Sequence, residues 1–125
     1  MAAEIAERTN AKILLLHVVD KHEQCIMDYC FPAEEMQRIE SESVKEATEK
    51  MKEEVGKIVQ SRKIDVTCDV KAEVPYEEIL NAQKEKKADL IVIASHGRTG
   101  IMKTPIGSVA ERVVRGATCP VLIAR

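Results

Sequence analysis

The chain has 125 residues, with 19 Lys and Arg against 21 Asp and Glu, for a formal net charge of -2. Apolar residues make up 45% and charged residues 32%, a mixture that suits one soluble domain with an aliphatic core rather than a disordered chain or two ordinary domains. Aromatic residues are only 2%, and the charges nearly balance, so neither base-stacking platforms nor a large phosphate-backbone footprint is expected and no nucleic-acid partner is predicted.

No stretch of roughly 18 uncharged apolar residues occurs, so no transmembrane helix and no membrane partner are predicted. The start, Met1-Ala2-Ala3-Glu4-Ile5-Ala6-Glu7-Arg8, lacks the basic and apolar pattern of a secretory signal. Cys25, Cys30, Cys68 and Cys119 form no Cys-x-x-Cys pair, and they read as reduced thiols of an intracellular, cytoplasmic protein.

In chain order, residues 1–10 read as a helix whose stripe is Ala2, Ala3, Ile5 and Ala6, with Asn10 as its stop. The run Ile13 to Val19 is apolar apart from His17, as strands buried on both faces are. Residues 20–31 read as a polar loop. His17, His22, Cys25 and Cys30 lie close in sequence, but their spacing matches no common zinc pattern, and His17, on the apolar strand, reads as a hydrogen-bonded core histidine.

Pro32 opens a long helix with Glu34 and Glu35 in its first turn. Met36, Ile39, Val44, Ala47, Met51, Val55, Ile58 and Val59 are its expected core-facing positions. Ile64 to Ala72 alternates apolar and polar residues, which predicts a strand at a sheet edge. Pro75 begins a third helix, with Glu77 and Glu78 in its first turn. Leu90 to Ala94 is a second all-apolar strand. A helix over about Ser108 to Arg115 and a last strand over Val121 to Ala124 close the chain. Strict alternation of strands and helices predicts an α/β doubly wound fold with parallel strands. In such folds ligands bind beyond the carboxyl ends of the strands.

The segment from Ala94 to Val109 joins such a strand end to a helix start. Gly97 and Gly100 permit a close turn, and Arg98 and Lys103 add positive charge. Gly107 and Ser108 open the helix, with Ser108 as the expected cap. The free N–H groups of that end suit a phosphate. Local chemistry alone leaves two readings open: a phosphate cradle, or a turn whose glycines and cap are structural. Neither a P-loop nor a dinucleotide fingerprint is present. His96 falls at the strand-end loop, where a positional role toward a ligand is expected rather than general-base catalysis, since no nucleophile or carboxylate partner is fixed by the sequence. Arg112 and Arg115 fit complementation of the helix dipole.

The stretches Ala88-Asp89-Leu90-Ile91-Val92-Ile93-Ala94-Ser95-His96-Gly97-Arg98-Thr99-Gly100, Ile106-Gly107-Ser108-Val109-Ala110-Glu111-Arg112-Val113-Val114 and Cys119-Pro120-Val121-Leu122-Ile123 resemble the universal stress protein family. Lys12 to Asp20 resembles its second strand, and Pro75 to Leu80 resembles the helix before its fourth strand. The resemblance implies a flavodoxin-like parallel sheet of order 3-2-1-4-5, and a homodimer formed through the C-terminal strand. In the nucleotide-binding branch it also implies ATP, with Mg2+, held by G-x-x-G, nine residues, then G-[S/T]. Here the second glycine is Gly97, residues 98–106 supply the nine, and Gly107-Ser108 complete the motif.

By that match backbone groups at Gly97, Gly107, Ser108 and Val109 would hold the phosphates, with Arg98 adding positive charge and Ala94 bordering the ribose or phosphates, and Val18 matches the position against adenine or ribose. Two departures stand out. Ala94 occupies the place of the first motif glycine. The family's first, central strand has no counterpart here, so residues 1–125 read as one N-terminally incomplete domain. The strands at residues 13–19 and 90–94 would then flank that strand's place. The function implied is a stress-response regulatory protein binding ATP or a related adenine nucleotide. The alternative is a dimeric interaction protein of the same fold with a degraded nucleotide site. No catalytic residue is assigned, because neither a metal-holding carboxylate nor a positioned water is fixed by the sequence.

Overall fold

A computed structural model describes residues 1–20, 33–96 and 106–124. The elements run α1 (Ala2–Thr9), β1 (Ile13–Asp20), α2 (Ala33–Ser61), β2 (Val66–Glu73), α3 (Pro75–Glu85), β3 (Ile91–Ala94), α4 (Ser108–Gly116) and β4 (Val121–Ala124). The alternation read from the sequence is therefore present, and it builds an α/β fold with parallel strands and, among the described residues, four helices. Among the described residues the strands form two sheets, β1 with β2 and β3 with β4, each pair parallel. These are the adjacencies that the expected order assigns to them. The chain divides into two compact units, Met1–Val74 and Pro75–Arg125.

In the first unit α1 turns the stripe of Ala2, Ala3, Ile5 and Ala6 inward, and Ala6 is buried. Asn10 ends the helix in the left-handed region at φ 56°, a conformation that asparagine tolerates well. β1 and β2 pair in register from Ile13 with Val66 to Asp20 with Glu73. The parallel arrangement requires a long crossover, and the 29-residue α2 supplies it. Met51 is the buried centre of its inner stripe. Its outer face carries exposed ion pairs such as Lys57 with Glu53 at 3.7 Å, which contribute little to stability. Val59 departs from its expected core role and is 49% exposed. Ile58 takes the inward position, and the next residue lies about 100° further round the helix. Arg62 Nη1 donates to Glu7 Oε2 at 2.8 Å, tying the end of α2 to α1.

In the second unit α4 buries Ala110 and Val113, the latter completely. Gln83 of α3 is buried and paired: its Nε2 donates to Thr118 Oγ1 at 2.8 Å, and its Oε1 accepts from the Thr118 N–H at 3.4 Å. Arg112 lies 4.8 Å from the centroid of the Tyr76 ring. It therefore stacks across to α3, instead of serving the helix end as expected. Gly116 permits close approach of α4 and α3, because a Cβ there would lie 2.6 Å from Leu80 Cδ1.

The strands start later than the apolar runs suggest. β2 begins at Val66 rather than Ile64, and β3 at Ile91 rather than Leu90. Ile13 to Val19 are half-buried, not enclosed on both faces. Enclosure of both faces requires layers packed on both sides of the sheet, which an apolar run permits but does not supply. The polar loop read at residues 20–31 and Pro32 lie outside the described residues beyond residue 20. Cys25 and Cys30 lie there too, while Cys68 and Cys119 are free thiols.

Candidate functional site

The second unit brings the end of β3 to the start of α4. Ala94 is the last residue of β3 and is exposed, in register with Ala124 of β4. Asn10 and Lys87 are the non-glycine residues with positive φ among the described residues. Ala94 is therefore accommodated in ordinary strand backbone, and the missing motif glycine carries no conformational penalty. Ser95 donates its N–H to the Ala124 carbonyl at 2.9 Å, and its own carbonyl accepts from the Gly107 N–H. Ser95 Oγ lies 3.1 Å from His96 Nδ1. His96 is half-buried at the strand end, where the sequence placed it.

Gly107 is the N-cap of α4, at φ -72° and ψ 160°. Its carbonyl accepts the Glu111 N–H at 2.9 Å, the first turn's own bond. Ser108, the expected cap, is instead the first helical residue, and no side chain among the described residues caps this helix. The reason is positional. A cap must precede the helical residues, and glycine in that place has no side-chain oxygen to offer. The N–H groups of Ser108, Val109 and Ala110 consequently have no acceptor within the helix. The first-turn acid, Glu111, is drawn along the helix by Arg115, whose Nη2 lies 2.8 Å from Glu111 Oε1. What remains at the tip is a set of backbone donors at the positive end of a helix dipole, a favourable place for an anion.

The structure thus brings together Ala94, Gly107, Ser108 and Val109 of the residues read from the sequence. Val18 is half-buried in β1 of the first unit. Gly97 and Arg98 lie outside the described residues, as does Lys103. Ser95 and Ala110 were not singled out by sequence reasoning. A backbone role leaves no mark on residue type, whereas the Glu111 and Arg115 spacing of four was there to be read.

A family model described as Universal stress protein family matches residues 1–125. The chain belongs to the universal stress protein family. Its relatives include Universal stress protein MJ0531 of Methanocaldococcus jannaschii, 34% identical over 125 residues, which cover 99% of this chain and 71% of the relative. Among solved structures, protein MJ0577 superposes with a TM-score of 0.78 at 27% identity, over 97% of this chain and 85% of that one. A universal stress protein solved in complex with cAMP shares the fold, with a TM-score of 0.59 at 23% identity over 99% of this chain and 81% of that one. The resemblance read from the motifs around Ala94 to Val109 is therefore correct at the level of the family, and the α/β fold that it implied is the observed one.

Proposed function

We propose that this universal stress protein binds ATP or a related adenine nucleotide, with Mg2+, and acts as a cytoplasmic stress-response regulator. The observation that carries the reading is the uncapped start of α4 beside the carboxyl end of β3. The Ser108 and Val109 amides there would receive the phosphates, the Ser108 hydroxyl would add a donor, and Ala94 would border the sugar. Membership of the family supports the reading, as does a member of the same fold solved with cAMP, itself an adenine nucleotide. Binding rather than turnover is the proposed activity. Calorimetric titration with ATP and magnesium tests it: saturable heat and a ligand-dependent rise in the unfolding temperature are expected. No heat and no thermal shift at millimolar ATP would overturn it.

A second reading is a homodimer formed through β4. Val121 to Ala124 carry no charge, and among the described residues β4 pairs with β3 alone, so its other edge would be open to a second copy. Sedimentation over a wide concentration range should reveal a dimer that Ile123→Lys abolishes. A monomer throughout would remove this reading.

A further inference from the structure

The two strands of the β1–β2 sheet present edges of opposite character. Along β2 the residues Thr67, Asp69, Lys71 and Glu73 are polar, and Lys71 Nζ lies 3.6 Å from Asp69 Oδ2. Charges of that kind guard an edge against further pairing. Along β1 the residues from Ile13 to Val19 carry no Asp, Glu, Lys or Arg and no proline, and all of them are half-buried. The Ile13 N–H is donated to the Asp65 carbonyl at 2.9 Å. Alternate residues of a parallel strand bond to the same neighbour. Ile13, Leu15, His17 and Val19 therefore serve the ladder with β2, while Leu14, Leu16 and Val18 direct their N–H and C=O groups to the other edge. Among the described residues β1 pairs with β2 alone. Such an edge is a template for another strand.

We propose that a second copy of this chain takes that edge: β1 pairs antiparallel with β1 of the partner, across a two-fold axis at Leu16. The residues themselves select the register. With the axis there, the outward groups of Leu14, Leu16 and Val18 meet those of the partner's Val18, Leu16 and Leu14, so donors and acceptors match throughout. Ile13 falls opposite the partner's Val19, and apolar meets apolar along the strand. The exposed Lys12 falls opposite the partner's Asp20, and symmetry repeats that pairing of opposite charges at the other end. An axis at Leu15 sets Lys12 against the partner's Val18 instead, and an axis at His17 sets Asp20 against the partner's Leu14. Both lose the charge pairs. The interface is distinct from the β4 pairing and independent of the nucleotide reading.

Sedimentation of the full chain over a wide concentration range, with charge-reversed variants, tests the proposal. The native chain should associate. Lys12→Glu and Asp20→Lys each set like charges opposite one another at both ends, so each should weaken association at least about tenfold. An equimolar mixture of the two variants restores opposite charges at both ends and should recover the native affinity, which also shows that each variant is folded. In the associated native chain the Leu14, Leu16 and Val18 amides should exchange slowly with solvent, and in Lys12→Glu alone they should exchange faster. A monomer throughout would overturn the proposal, as would mixed variants that fail to associate. Association abolished by Ile123→Lys but unmoved by Lys12→Glu would place the contact at β4 and overturn it equally.

Discussion

Helices α3 and α4 both follow the carboxyl end of a parallel strand, yet their first turns are built in opposite ways. α3 opens with Pro75, which has no N–H to satisfy, and places Glu77 and Glu78 at the positive end of its dipole. The Tyr76 hydroxyl donates to Glu77 Oε1 at 3.2 Å, so one of those acids is also held locally. α4 opens with Gly107, Ser108, Val109 and Ala110, and Arg115 holds its acid, Glu111. One helix start carries two acids, Glu77 and Glu78; the other carries one, Glu111, and that one is paired with Arg115. On the proposed reading, the same dipole stabilises the fold at α3 and would receive an anion at α4.

The sharpest way to break this contrast is to give α4 the chemistry of α3. Ser108 is exposed, so Ser108→Asp should fold, and the new carboxylate should stabilise the helix by about 0.5 kcal/mol. By calorimetry, ATP affinity should nevertheless fall roughly 100-fold, about 2.7 kcal/mol. Opposite signs in stability and binding would be difficult to obtain from a merely damaged fold. The next largest effect concerns the polar link that ties α3 to the segment after α4. Gln83→Leu leaves the Thr118 N–H and hydroxyl without their partner in a part-buried place and should cost about 2 kcal/mol in urea unfolding.

Removing α3's own charge sharpens the comparison from the other side. The double substitution Glu77→Gln with Glu78→Gln should destabilise the protein by about 1 kcal/mol at low salt, judged by thermal unfolding, and leave ATP affinity unchanged. The smallest effect is expected for Arg115→Ala. It releases the Glu111 carboxylate near the anion site, so ATP affinity should fall about twofold, and added salt should erase the difference.

Much of this contrast is legible in the residues. Glu77 and Glu78 after Pro75, and the acid-free Gly107-Ser108-Val109-Ala110, stand out as a pattern in the amino-acid order itself. The alternation of apolar runs and amphipathic segments also yields the element order, because side-chain periodicity follows backbone geometry directly. The position of the cap is not legible in the same way. Gly and Ser are both acceptable N-caps, and a shift of one residue depends on tertiary contacts rather than on local preference. The bond from Gly107 to Ser95 spans a loop and uses only main-chain atoms, so residue types carry no trace of it. The burial of Ile13 to Val19 is less than their composition suggests, for a related reason: an apolar run states what a strand tolerates, while the layers packed on the faces of its sheet decide what it receives.

The most direct test of the central claim is a residue-resolved amide chemical-shift titration of the protein with ATP and magnesium. Saturable shifts concentrated at Ser108, Val109 and Ala110 are expected, with the amides of Tyr76, Glu77 and Glu78 unmoved. Shifts at the start of α3 that match or exceed those at α4, or none at α4 at millimolar ATP, would contradict it.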